Sequence, residues 1–97
     1  MRILGIDPGI GRTGWGIIEN NKSVLTLIAA GIIETSKELP LEKRVGSLYD
    51  QLLQVISDEK PDEIAVEELF FSTNVKTAMA VGQARGVVLL LTSQHQL

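Results

Sequence analysis

The chain has 97 residues, 44% hydrophobic and 22% charged, with nine Lys and Arg against 12 Asp and Glu and a net charge of −3. That balance describes a single small folded domain and excludes a disordered segment; the longest unbroken apolar run, Val87 to Leu91, is far too short to cross a bilayer. The absence of cysteine removes disulfides and thiolate metal sites, and Asp7 interrupts the apolar centre a secretory signal would need, so a cytoplasmic location is expected.

Residues 2–6 are a short apolar run closed by Asp7-Pro8-Gly9, the pattern of a strand ending in a turn. Thr13 to Ile18 reads as a second strand, with Glu19-Asn20-Asn21-Lys22 as a polar turn behind it. Ser23 to Thr35 reads as a third extended segment broken near Ala30-Gly31, and the three together predict an antiparallel meander. Pro40 stands where a helix should begin. Val45, Leu48, Tyr49, Leu52, Leu53 and Ile56 then recur at three- and four-residue steps, one apolar face of an amphipathic helix that Asp58-Glu59-Lys60-Pro61 ends.

Glu63 to Val66 is a short strand running into Glu67-Glu68, and the strand–helix–strand passage predicts a parallel pairing with a right-handed crossover. From Asn74 the pattern is helical again, with Ala78, Gly82 and Gly86 as a stripe of small residues four apart. That stripe suits either packing of the helix on its own sheet or close contact with a second copy. The expected architecture is an α/β mixed sheet, an antiparallel three-strand meander plus a parallel strand, with flanking helices. Such a sheet normally needs more chain to cover both faces, so residues 1–97 are expected to be one domain truncated at its C-terminal side.

Two places carry chemistry. Asp7 puts a carboxylate at the end of an apolar strand, a costly position unless something compensates the charge, and the glycine turn behind it lets a phosphate approach the backbone. The bland alternative is an Asp that caps the turn. Glu67 and Glu68 likewise end an apolar strand. If the two strands are adjacent and parallel, Asp7 and one of these glutamates project from the same sheet edge, where they repel unless a cation lies between them. Alternation sends Glu67 and Glu68 to opposite faces, and periodicity leaves open which one joins Asp7. Oxygen-only ligands suit Mg²⁺, with Mn²⁺ as the alternative. Phe70 and Phe71 follow; one belongs to the core, and the other is free to stack on an unpaired base, worth about 1–3 kcal/mol. The net charge of −3 argues against a nucleic-acid surface, but a carboxylate metal site is acidic by construction and its cation reverses the local field.

Ile3-Leu4-Gly5-Ile6-Asp7-Pro8-Gly9 with Arg12-Thr13-Gly14-Trp15-Gly16 resembles the opening motif of the RuvC-type Holliday junction resolvases. Glu67-Glu68-Leu69-Phe70-Phe71, Asn74, Thr77-Ala78 and Val81-Gly82-Gln83-Ala84-Arg85-Gly86-Val87 resemble that family's central motif in the same order, and more specifically. The resemblance implies a ribonuclease H-like fold, a homodimer, and symmetric nicking of four-way junction DNA with a divalent metal, alongside a branch-migration helicase. On it, Asp7 is the first catalytic and metal-holding carboxylate, Glu67 the second, and Phe70 the aromatic that enters the junction. The family completes its site with acidic or histidine ligands on a C-terminal helix, whereas here no Asp or Glu follows Glu68, and His95 reads as a surface residue. The chain is therefore expected to hold half a site and to be weakly active or inactive alone, acting at most as a dimerisation or DNA-docking module. Sugar-kinase or actin-like ATPases share the Asp-x-Gly hairpin, and a related nuclease group shares the first Asp; neither carries the second block.

Overall fold

A computed structural model describes residues 1–67 and 74–97. In chain order it contains strands β1 (Arg2–Asp7), β2 (Arg12–Asn21) and β3 (Val24–Glu34), helix α1 (Leu41–Glu59), strand β4 (Glu63–Val66) and helix α2 (Val75–Gln94). The four strands form one sheet in the order β3-β2-β1-β4, antiparallel at β3–β2 and β2–β1 and parallel at β1–β4. This is the expected meander plus parallel strand.

The β2–β3 hairpin differs from expectation. Glu19 to Asn21 are strand, paired with Thr26 to Val24, and the turn is only Lys22-Ser23. Both turn residues have positive φ, 51° and 67°, the backbone twist that suits a two-residue hairpin connection. Nor is β3 broken at Ala30-Gly31. The register shifts opposite Ile17 and Ile18, which pair with Ala29 and Leu27, so Ile28 is the extra residue of a bulge. Gly31 faces Trp15 across the pair, and a Cβ on it would lie 2.8 Å from the indole Cζ2. Gly31→Ala should therefore cost about 1–3 kcal/mol by overpacking. Urea unfolding measures this; an unchanged midpoint would mean the indole swings away freely.

One face of the sheet holds the core. Leu4, Ile6, Ile17 and Ile33 are buried there together with Leu48, Leu52 and Ile56 of α1 and Ala84, Val87, Val88 and Leu91 of α2. Helix α1 starts after Pro40 and ends where Lys60, at φ 50°, turns its N–H back to the Ile56 carbonyl; Pro61 then forbids continuation. Helix α2 starts at Asn74, whose side chain accepts from the N–H groups of Lys76 and Thr77. Its small-residue stripe does not pack on the sheet. A Cβ on Gly82 or Gly86 would meet nothing within 4 Å, and the buried residues of α2 lie elsewhere on the helix. His95 is exposed and ends α2 with Nδ1 2.9 Å from the Leu91 carbonyl.

The opposite sheet face carries Ile3, Gly5, Asp7, Gly14, Gly16, Ile18 and Ala65, with Leu25, Leu27 and Ile32 of β3 exposed. Among the described residues, no helix covers it. No described helix is long and apolar enough to cross a membrane.

Candidate active site

Strand β4 is pinned to β1 at both ends. The Arg2 N–H donates to Asp62 Oδ2 at 2.8 Å, and the Asp62 N–H donates to the Arg2 carbonyl at 2.8 Å. Between them Ile3 to Ile6 pair with Glu63 to Val66, and the Glu67 N–H closes the ladder on the Ile6 carbonyl at 3.1 Å. That register fixes the chemistry. Ile6 and Val66 point to the core, so the next residues, Asp7 and Glu67, both turn to the uncovered face at the same sheet edge. Opposite Asp7 on β2 stands Gly14, and even a Cβ there would sit 3.9 Å from Asp7 Cβ, so nothing crowds the carboxylate.

The two carboxyl groups stand beside each other at that edge. A hydrogen bond to the Asp7 carboxyl, then the like charge beside it, then slight desolvation raise the Glu67 pKa above its ordinary value. The register thus brings Glu67 to Asp7; Glu68 and Phe70 lie outside the described residues. Two oxygen-donor side chains from adjacent strands, with repulsion to relieve, fit a hard divalent cation such as Mg²⁺ or Mn²⁺. No group of three or more His, Cys, Asp or Glu side chains converges among the described residues.

The raised pKa has a measurable consequence. Between the ordinary and the raised value the folded chain binds more protons at Glu67 than the unfolded chain does. Stability therefore falls as pH rises through that interval. Without divalent metal, the melting temperature should decline across it. Asp7→Asn removes the like charge and should flatten that decline. The same slope in both proteins would place its origin elsewhere.

The loop after Asp7 is tight. A Cβ on Gly9 would collide with the Arg12 carbonyl oxygen, so the glycine here is sterically required at an ordinary φ. Sequence reasoning saw the turn but missed what holds it. The hydroxyl of Thr13 accepts from the Gly9 N–H at 3.1 Å and donates to the Gly9 carbonyl at 2.6 Å. A threonine in a strand looks like an ordinary β-former, and nothing in the pattern marks its hydroxyl as spoken for.

The family model described as crossover junction endodeoxyribonuclease RuvC matches residues 3–97. The chain belongs to the RuvC family. It is 47% identical over 97 residues to the crossover junction endodeoxyribonuclease RuvC of Thermosipho melanesiensis, covering all of this chain and 62% of that protein. To the RuvC of Caldicellulosiruptor saccharolyticus it is 52% identical over 98 aligned positions, covering 100% and 59%. Among solved structures it is similar to Thermus thermophilus RuvC in complex with a Holliday junction substrate, with a TM-score of 0.90 and 32% identity over 100% of this chain and 62% of that one. The fold is therefore the ribonuclease H-like fold of RuvC. The chain spans about three-fifths of the length of the RuvC relatives it matches.

Proposed function

We propose that this chain carries the first two metal-holding carboxylates, Asp7 and Glu67, of a divalent-metal-dependent endonuclease that nicks four-way junction DNA symmetrically. The observation that carries the proposal is the placement of Asp7 and Glu67 side by side at the end of the parallel β1–β4 pair, on an open sheet edge, in a chain of the RuvC family. A bound Mg²⁺ or Mn²⁺ would supply an activated water and charge stabilisation of the leaving oxygen. Asp7 and Glu67 would hold the cation there, and Gly14, opposite Asp7 on β2, puts no side chain in the way of a phosphodiester backbone. Phe70 stacks on a base unpaired near the junction centre. Four-way junction DNA as substrate is supported by the Thermus relative solved with a Holliday junction. Action beside a branch-migration helicase and a cytoplasmic location belong to the same proposal.

A homodimer is supported by α2. Leu89 and Leu90 are exposed, Gly82 and Gly86 are open to close approach, and a groove of about 530 Å³ runs beside Gly86, Leu90, Leu41 and Val45. A second reading, an inactive dimerisation or DNA-docking module, is favoured by one observation: among the described residues no group of three or more His, Cys, Asp or Glu side chains converges. Both are tested by Mg²⁺-dependent nicking of a synthetic four-way junction, comparing these 97 residues with a chain of the relatives' length. Nicking by the longer chain alone supports the half-site reading. If neither chain nicks nor prefers junctions to duplex DNA, the nuclease proposal fails.

A further inference from the structure

Thr13 and Thr35 are the only buried polar side chains among the described residues, 0% and 8% exposed. Both give their hydroxyls to one loop, the segment from Pro8 to Gly11 that directly follows Asp7. Thr13 brackets Gly9, bonding both its N–H and its carbonyl. From the other side, the Thr35 hydroxyl donates to the Ile10 carbonyl, and the Thr35 N–H donates to the Gly11 carbonyl at 3.0 Å. Arg44 of α1 extends the chain of donors. Its Nε donates to the Thr35 hydroxyl oxygen at 3.3 Å, and its Nη2 lies 3.2 Å from where a Cβ on Gly11 would sit.

Loops ordinarily run over the surface with their backbone in water. This one turns Pro8 and Ile10 inward and has its backbone carbonyls satisfied by buried hydroxyls. Burying a hydroxyl without a partner is costly, so such groups persist where they hold something in place. The donor series Arg44 to Thr35 to Ile10 also polarises each bond in turn. Reactive groups need placement to within about 0.5 Å, and a misplacement of about 1 Å costs on the order of 10²-fold in rate.

We propose that Thr13, Thr35 and Arg44 form a positioning clamp that fixes the Pro8–Gly11 loop and so sets the Asp7 carboxylate against Glu67. The clamp ties catalytic geometry to helix α1, since Arg44 lies on the helix that carries core residues Leu48 and Leu52. It rests on the nuclease function proposed above, for which none of the three residues need touch DNA or metal.

Thr35→Val keeps the shape and removes the hydroxyl, leaving the Ile10 carbonyl and Arg44 Nε without it. Thr35→Ser keeps the hydroxyl. Two readouts need no activity: amide hydrogen exchange at Gly9 and Thr35, and Mn²⁺ affinity followed by electron paramagnetic resonance. Below the melting temperature, Thr35→Val is expected to speed exchange at both amides and weaken Mn²⁺ binding about tenfold, with Thr35→Ser near the parent. In a chain of the relatives' length, Thr35→Val is expected to lower kcat about 10- to 100-fold at unchanged junction KM, again restored by serine. Faster exchange with unchanged Mn²⁺ affinity and kcat would overturn the proposal, since the loop would then loosen without moving Asp7. So would a Thr35→Val protein indistinguishable from the parent in all readouts. If the longer parent itself does not nick, the nuclease proposal has failed separately, and the Mn²⁺ and exchange readouts still decide the clamp.

Discussion

In a chain of the relatives' length, Asp7→Asn is expected to reduce junction nicking about 10³-fold or more while junction binding persists. A metal ion at the scissile phosphate supplies several kcal/mol of stabilisation, and each 1.36 kcal/mol is a factor of ten in rate. Asparagine keeps the shape of Asp7 but offers a neutral oxygen and an N–H₂ group that repels the cation. The fold should not suffer. Asp7 is exposed and in contact with another carboxyl group, so the substitution removes a repulsion and should leave melting in the absence of metal unchanged or raised. Single-turnover nicking and a gel-shift titration of the same junction separate the two effects. Nicking within tenfold of the parent would remove Asp7 from the chemistry.

Leu52→Ala is expected to give the largest loss of stability among single substitutions, about 2–5 kcal/mol. Leu52 is fully buried on α1, in the cluster that joins both helices to Leu4 and Ile17 of the sheet. A chain of this length has about 5–15 kcal/mol in total, and here one sheet face contributes little burial, so the loss is a large share. Denaturant unfolding should show the midpoint fall without a change of slope. A loss below about 1 kcal/mol would mean that the cluster closes over the missing side chain.

The parts legible in the sequence were those with strong local signals. Glu63–Val66 emerged with the bounds it has, and the α1 face at Leu48, Leu52 and Ile56 is the buried one. Helix α2 begins where the helical pattern from Asn74 starts, with Asn74 itself as the cap before Val75. The long hairpin was shortened because Glu19-Asn20-Asn21 are polar, and polar residues on an exposed strand end look like a turn. The bulge at Ile28 was displaced to Ala30-Gly31 because glycine is the usual break signal, whereas Gly31 serves the Trp15 ring. Alternation leaves Glu67 and Glu68 equivalent, and only the family resemblance singles out Glu67; the register that brings Glu67 beside Asp7 is a long-range fact that no local pattern contains. The loop clamp was invisible for the same reason: Thr35 lies 25 residues from the carbonyl it holds.

In the proposed function Asp7 and Glu67 hold one divalent cation together. The direct measurement is a Mg²⁺ titration of these 97 residues followed through the carboxyl carbon resonances of both side chains. Asp7 and Glu67 are expected to shift together along a single binding curve, and Asp7→Asn to abolish the response at Glu67. Resonances that stay unmoved at saturating Mg²⁺, or a Glu67 response that survives Asp7→Asn unchanged, would contradict it.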